Sequence, residues 1–590
     1  MLNKFFGTSL LLSASYIAVA DQYNHSLSYE PLTTSNGIIT TQPAANVDMA
    51  WDVATQAVTE VTEGVFRLSG WGIGNIIAIE GSQGWIIIDA GDSVSVAKAQ
   101  RAALEQKLGQ QIEVEAILYT HSHYVWGASV WQDERTKVYG HEWLEKHLMA
   151  DNGVSPLAGN FNARAVLQFG MLHPPQGADA FPNKLGFSLD KLSDEKGYLS
   201  PDITFTNGQI ETHKIAGLTV NVLPSPTDVT DSVAFYIPKK SLMVTNALNG
   251  DNTIFNLYTL RGDRYRDPNR LVAAADLVLS YDFEHHIDIH GPANTTAEAA
   301  RHSIEAFRDS MQLIHDQTIR AISLGKDAQG AAEFLYMPEN MRLGKETYGQ
   351  VESHVKQVYN GTMGWNGWDI YDINPLRTHD FSKHYISSLG GIDSAVKMVK
   401  QSNEKQTVKG WQWSLYLTSQ LIELAPNSAE VKQLRAEAAR ALGQRTTSAN
   451  ARGFYISEAL LHEGKLVLGD QVIADYASLS QMLGAMDKQK LAQSSIKNNV
   501  NYLRYLVDPR KAEGLTAQFN LKLSDNSGEF GIALRNGIIQ VGEPTVEAVT
   551  LSLSHSQWSS VLLGSVTFRE LDASLEAFDK ALTIQSKELR

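Results

Sequence analysis

The sequence predicts a multi-domain α/β protein, and three observations predict it. The chain has 590 residues, more than one ordinary domain holds. Its first half alternates short β-branched runs, punctuated by glycine, with segments of helical periodicity. Its last part passes from helices to alternating strands and back to helices. The apolar fraction is 43%, enough for large cores, so wholesale disorder is excluded.

The elements follow in order. Residues 1–20, MLNKFFGTSLLLSASYIAVA, place Lys4 before an apolar stretch and end on small residues. This reads as a secretory leader cut before Asp21, with a periplasmic or secreted product. The stretch is short for a membrane span, and no transmembrane anchor is expected after it. Residues 21–60 are polar and turn-rich and read as an extended arm. GVFRLSG, NIIAIEG and GWIIIDAG then read as strands. Asp92 to Gly109 reads as a helix with Asp92 as its cap, and VEAILYT as the next strand. Further strands are expected in ITFTNGQIETHKIAGLTVNVLPSP and SVAFYIP, and helices over Leu271–Leu279 and Thr296–Leu324. This first domain runs over residues 61–324. Residues 325–465 are helix-rich, with a tetratricopeptide-like pair around an Ala-Pro-Asn turn. Residues 477–590 read as a small α+β domain.

Charge and composition narrow the function. A formal net charge of −15 argues against nucleic-acid partners and against docking on an anionic membrane. There is no cysteine, which excludes disulfides, thiolate metal ligands and cysteine nucleophiles. Histidine and carboxylate chemistry remain. THSHYVWG, Thr120 to Gly127, puts His121 and His123 in a loop directly after a strand, where α/β folds build their sites. Imidazole is a common zinc ligand, and Asp89 ends a neighbouring strand. His285-His286 reads as a solvated pair at the end of a helix or loop.

NALNGDNTIFNLYTLRGDRYRD and IHDQTIRAISLG, with the three-part layout, resemble the alkylsulfatase branch of the metallo-β-lactamase superfamily. The resemblance covers nearly the whole chain after residue 20. It implies an αββα sandwich, then an α-helical dimerisation domain, then a sterol-carrier-like domain that recruits apolar tails. It also implies a homodimer, and a dinuclear zinc site that hydrolyses alkyl sulfates. The family's metal loop reads THSHxDH, followed by a TEAP segment, an acidic residue before NLYTLRG and a late histidine. On this chain His121 and His123 match the first two histidines, and His290 matches the late one. Val125 and Trp126 stand where the loop has its aspartate and histidine. Asp228 replaces the TEAP glutamate and is one methylene shorter. Leu248 stands at the bridging acidic position. Asn256 and Arg261, with Tyr258 between them, match the sulfate-holding stretch, and arginine's forked donors suit a tetrahedral oxyanion. Phe255 stands where the family has a histidine. The aromatic run Met363 to Tyr371 matches a segment near the substrate entrance; it reads equally as a cover for an apolar tail or as an interface core.

Valine and leucine offer no lone pair, and indole only donates. The paired-metal mechanism is therefore rejected. What remains is at most one zinc, on His121, His123 and Asp228, with His290 as an alternative ligand and an open position for water. Three functions fit. One is a diverged hydrolase of sulfate esters of apolar alcohols, with His121, His123 and Asp228 as catalytic residues. The second is a non-catalytic binder of amphiphiles such as alkyl sulfates. The third is metal-free acid–base chemistry in the same place.

Overall fold

The computed structural model describes residues 22–584, apart from 152–154, 183–184, 186–193, 252, 263, 343–344 and 525–527; the leader expected over residues 1–20 lies outside them. Two compact units interleave along the chain.

One unit comprises Thr55–Leu172, Gly186–Asn246 and Leu460–Arg590. Its larger sheet runs in chain order through Ala57–Thr62, Val65–Ser69, Ile76–Gly81, Gly84–Ile88, Val114–Leu118, Lys137–His141 and Ile203–Phe205. The first four strands are antiparallel and the rest join in parallel. The parallel step at Gly84–Ile88 is made by helix Val94–Leu108, as a crossover requires. Its cap is Ser93, whose hydroxyl accepts from the Val96 amide, and not Asp92. Gly109, at φ 70°, ends the helix. Ile76, Ile87 and Ile117 of the sheet pack with Val96, Ala97 and Leu104 of the helix. In the second sheet Glu211–Ile215, Leu218–Pro224, Val233–Ile237 and Leu242–Thr245 lie side by side, each antiparallel to the last. The helix and the two sheets supply the first three layers of the expected αββα sandwich.

The same unit holds the C-terminal sheet, ordered Ile538–Gly542, Glu529–Arg535, Ala517–Leu523, Val549–Leu553. SGEFGIALRNGIIQV folds as a hairpin over Asn536-Gly537, both at positive φ. Phe519, Trp558, Phe568 and Phe578 fill its core. Helix Ala158–Gln168 packs against helix Tyr476–Gly484 through two glycines. A Cβ on Gly159 would come within 2.8 Å of Gly484 Cα.

The other unit comprises Met1–Ala54, His173–Leu185 and Ala247–Ala459. Its helices include Pro268–Leu279, Ala297–Ser323 and Val351–Met363, then Thr378–Ser388, Ile392–Glu404, Val408–Leu424 and Ala429–Arg445. The last two are the pair expected around Ala-Pro-Asn. The N-terminal arm is not simply extended. It forms two short helices, Gln42–Ala45 and Val47–Ala50, the first capped by Thr41 with a proline in its first turn. The arm is pinned by Arg452, which is fully buried and donates to the Ile39, Ala180 and Gly443 carbonyls. A second correction concerns His285-His286. These residues open a strand, His285–Asp288, and His286 is fully buried. Burial pushes its imidazole down to about 3, so it is neutral at physiological pH. No helix among the described residues is long and apolar enough to cross a membrane.

Candidate metal centre

Asp89 ends a strand in the left-handed region, at φ 58°. That backbone is costly for a residue with a Cβ, and the surrounding bonds hold it. The Asp89 amide donates to the Leu118 carbonyl, the Ala90 amide to that of Tyr124, and the Trp126 amide to that of Gly91. The His121–His123 loop is thus laced to the neighbouring strand end. The Asp89 carboxylate accepts from the Thr120 amide at 2.8 Å and from the Thr120 hydroxyl at 2.7 Å. Full burial pushes its pKa up to about 7, although the two Thr120 bonds pull it down. The Thr120 oxygen lies 2.8 Å from His121 Nδ1. With its own proton committed to Asp89, the hydroxyl accepts from Nδ1–H. His121 therefore turns the lone pair of Nε2 inward.

That lone pair meets His123 and Asp228. His121 Nε2 is 4.0 Å from Asp228 Oδ2, and His123 Nδ1 is 3.2 Å from the same oxygen. The two imidazoles sit edge to face, 4.7 Å between centroids. All three ligand atoms lie within 4.8 Å of one another. A tetrahedral zinc with ligands at about 2.0–2.1 Å has edges of roughly 3.3 Å. The measured separations bracket that value, so the shorter Asp228 does reach, and the donor set fits one zinc. Among the described residues this is the one such group of three or more metal-capable side chains. His121 is fully buried, whereas about a third of the His123 side chain is exposed, which leaves an open side for water.

The substituted positions are filled in. Val125 is fully buried in the apolar core of the larger sheet, and Trp126 packs against the same core. The Trp126 ring also lies beside Tyr198 and under Lys196. In the other unit, Leu248 is fully buried and its amide donates to Asp288. Asp288 also accepts from the Ala247 and His290 amides. The His290 ring packs against Trp51, 5.7 Å between centroids. Asn256 is buried, and its carbonyl accepts from Arg266. Tyr258 and Arg261 are half-buried on the same stretch. The Tyr258 amide donates to His354 Nδ1 at 3.2 Å. Phe255 packs edge to face on Phe307 and beneath Arg266. Asp267 is the cap of helix Pro268–Leu279. The run from Met363 to Tyr371 is exposed, with Trp365 and Trp368 each 71% accessible, so it is not part of this chain's own core.

Four residues of this neighbourhood were not legible as site residues. Asn246 donates to Asp228 Oδ1 at 2.7 Å. His147 bonds Asp231 Oδ1 at 2.6 Å through Nδ1, and its Nε2 lies 3.2 Å from the Thr230 hydroxyl. All act on the turn that carries Asp228. Asn246 opens the NALNGDNTIFNLYTLRGDRYRD stretch, but nothing in that stretch marks it as a partner of Asp228, and a buried histidine on a helix gives no sign in sequence of the loop it holds.

Comparison with known proteins places this geometry. Residues 69–246 match the metallo-beta-lactamase superfamily model, and residues 330–464 match the alkyl sulfatase dimerisation model. A linear primary-alkylsulfatase from a Pseudomonas species is 25% identical over 81% of this chain and 90% of its own. The alkyl/aryl-sulfatase BDS1 of Saccharomyces cerevisiae is 24% identical over 91% of this chain and 82% of its own. The solved structure of the stereoselective inverting sec-alkylsulfatase Pisa1 from Pseudomonas superposes with a TM-score of 0.73 at 18% identity, covering 95% of this chain and 94% of that one. It shows the shared fold through the sandwich, the dimerisation helices and the small final domain. The two family-model matches and the alkylsulfatase relatives together support the alkylsulfatase branch of the metallo-β-lactamase superfamily for this chain.

Proposed function

We propose that the protein is a diverged alkylsulfatase-like hydrolase that cleaves sulfate esters of apolar alcohols with a single zinc ion. The observation that carries this reading is the meeting of His121, His123 and Asp228 at zinc-compatible separations. When bound, the ion supplies Lewis-acid charge and acidifies water. The chain's own residues do the rest. Thr120 and Asp89 fix the His121 tautomer. His123, about a third exposed, lies on the side open to solvent. The family resemblance assigns the sulfate group to Asn256 and Arg261, whose donors suit its oxygens. The apolar tail falls to the sterol-carrier-like residues 477–590. The leader-like start and the cysteine-free composition support a periplasmic or secreted protein, and the dimerisation-model match supports a homodimer.

The test is elemental mass spectrometry of the purified protein, paired with sulfate release from dodecyl sulfate. About one zinc per chain and chelator-sensitive turnover are expected, both lost in His121→Ala. Full activity in His121→Ala overturns the mechanism. A protein that takes up no zinc, yet is stabilised by dodecyl sulfate without hydrolysing it, is instead an amphiphile binder.

A further inference from the structure

Asp228 is short for the position it fills, and something must hold it in reach. We infer that Asn246 is a positioning residue that orients the Asp228 carboxylate toward His121 and His123, compensating for the missing methylene. This rests on those three residues being the metal-holding set.

Asn246 directly follows strand Leu242–Thr245 and is fully buried. Its Nδ2 donates to Asp228 Oδ1 at 2.7 Å, and lies 3.2 Å from both Thr227 Oγ1 and Ser232 Oγ. The amide cannot be reversed. A flip would aim a carbonyl at a carboxylate, two acceptors with no proton between them. The Nδ2 group therefore takes Oδ1, and this fixes Oδ2 as the oxygen presented to His123 and His121. A free aspartate would rotate about its last torsion, which is broad. Ligand positions must hold within about 0.2 Å, so that freedom degrades a site.

The backbone beneath is fixed as well. Residues 225–232 form a turn closed by the Ser225 amide on the Ser232 carbonyl, and the Val233 amide donates to the Thr120 carbonyl beside His121. A short carboxylate tolerates no slack in this turn. Partners that orient metal-ligating carboxylates typically contribute 10–100-fold in affinity.

The experiment measures zinc affinity by chelator competition, with the cobalt(II) absorption spectrum as a second readout. Asn246→Leu keeps the volume and deletes the donor; it is expected to weaken zinc at least tenfold and to alter the cobalt bands. Ser232→Ala removes another contact of the same amide but spares Asp228, and is expected to stay within about twofold of wild type, because only the Asp228 bond touches a ligand. If Asn246→Leu does not fold, Asn246→Ser carries the test, since its hydroxyl is too short to span to Asp228. In an Asp228→Glu background the longer arm restores reach, and the Asn246 effect is expected to shrink. Wild-type affinity in both Asn246 variants, or an undiminished effect beside Glu at 228, overturns the inference while the single-zinc reading stands. No zinc binding by the wild type overturns both.

Discussion

At the scale of residues, burial decides which polar groups carry charge. His173 shows this most simply. It is buried in the helical unit, its Nε2 within 3.2 Å of the Gly453 carbonyl and 3.0 Å of the Ser457 hydroxyl. Burial, and then the nearby Arg452 charge, push its pKa from 6.5 down to about 3. The unfolded chain therefore takes up a proton near pH 6.5 that the folded chain refuses. Stability from this group is complete above pH 6.5 and is lost as the pH falls toward 3, at about 1.4 kcal/mol per pH unit. Urea titrations of His173→Gln from pH 7 to 4 are expected to show an acid slope shallower by about one proton. An unchanged slope would mean that His173 protonates in the native state. The residues of the site were unevenly legible. His121, His123 and Asp228 were readable because a motif and a resemblance pointed at them. The loss at Val125 was readable too, since a valine has no lone pair. That its side chain had been absorbed into the core was not, because direction along a loop is set by packing.

At the scale of elements, strands and long helices were visible wherever period and cap agreed. Ala297–Ser323 lies within one residue of its expected bounds because Thr296 caps it and its apolar stripe persists. Helix Val94–Leu108 differs only in its cap, where two adjacent polar residues competed for the role. Strand His285–Asp288 was misread because two histidines in succession suggest solvent, and only tertiary burial overrides that. Helix Leu144–Asp151 went unseen, yet its His147 holds the Asp228 turn through Asp231 and Thr230. Both His147 and Asp231 are buried. His147→Leu leaves that acid without its partner, and is expected to cost about 3 kcal/mol. Chemical denaturation gives the loss, and hydrogen exchange is expected to show faster opening of amides 227–232. A variant as stable and protected as wild type would reduce the contact to coincidence.

At the scale of the whole molecule, the fold class was legible, but the interleaving of the two units was not, since it depends on contacts between segments far apart in sequence. Within the helical unit, Trp365, Trp368 and Ile370 are 71%, 71% and 83% exposed, in a segment inside the dimerisation match. Large apolar side chains exposed this close together in sequence are candidates for an interaction surface. If the proposed homodimer uses it, Trp365→Glu with Trp368→Glu is expected to shift the light-scattering mass from dimer to monomer at micromolar concentration. A dimer of unchanged mass would place the interface elsewhere.

The glycine contact between Ala158–Gln168 and Tyr476–Gly484 bears on timing. The unit that carries the candidate metal centre receives its closing helix roughly 300 residues after the helix it covers, a separation that makes such contacts slow to form. Ribosomal synthesis cannot complete this unit until the last quarter of the chain has emerged. Until then one face of Ala158–Gln168 lies open, a risk of self-association that grows with protein concentration. A shortened version ending near residue 465 lacks the helix that covers Ala158–Gln168 and is expected to leave this unit open.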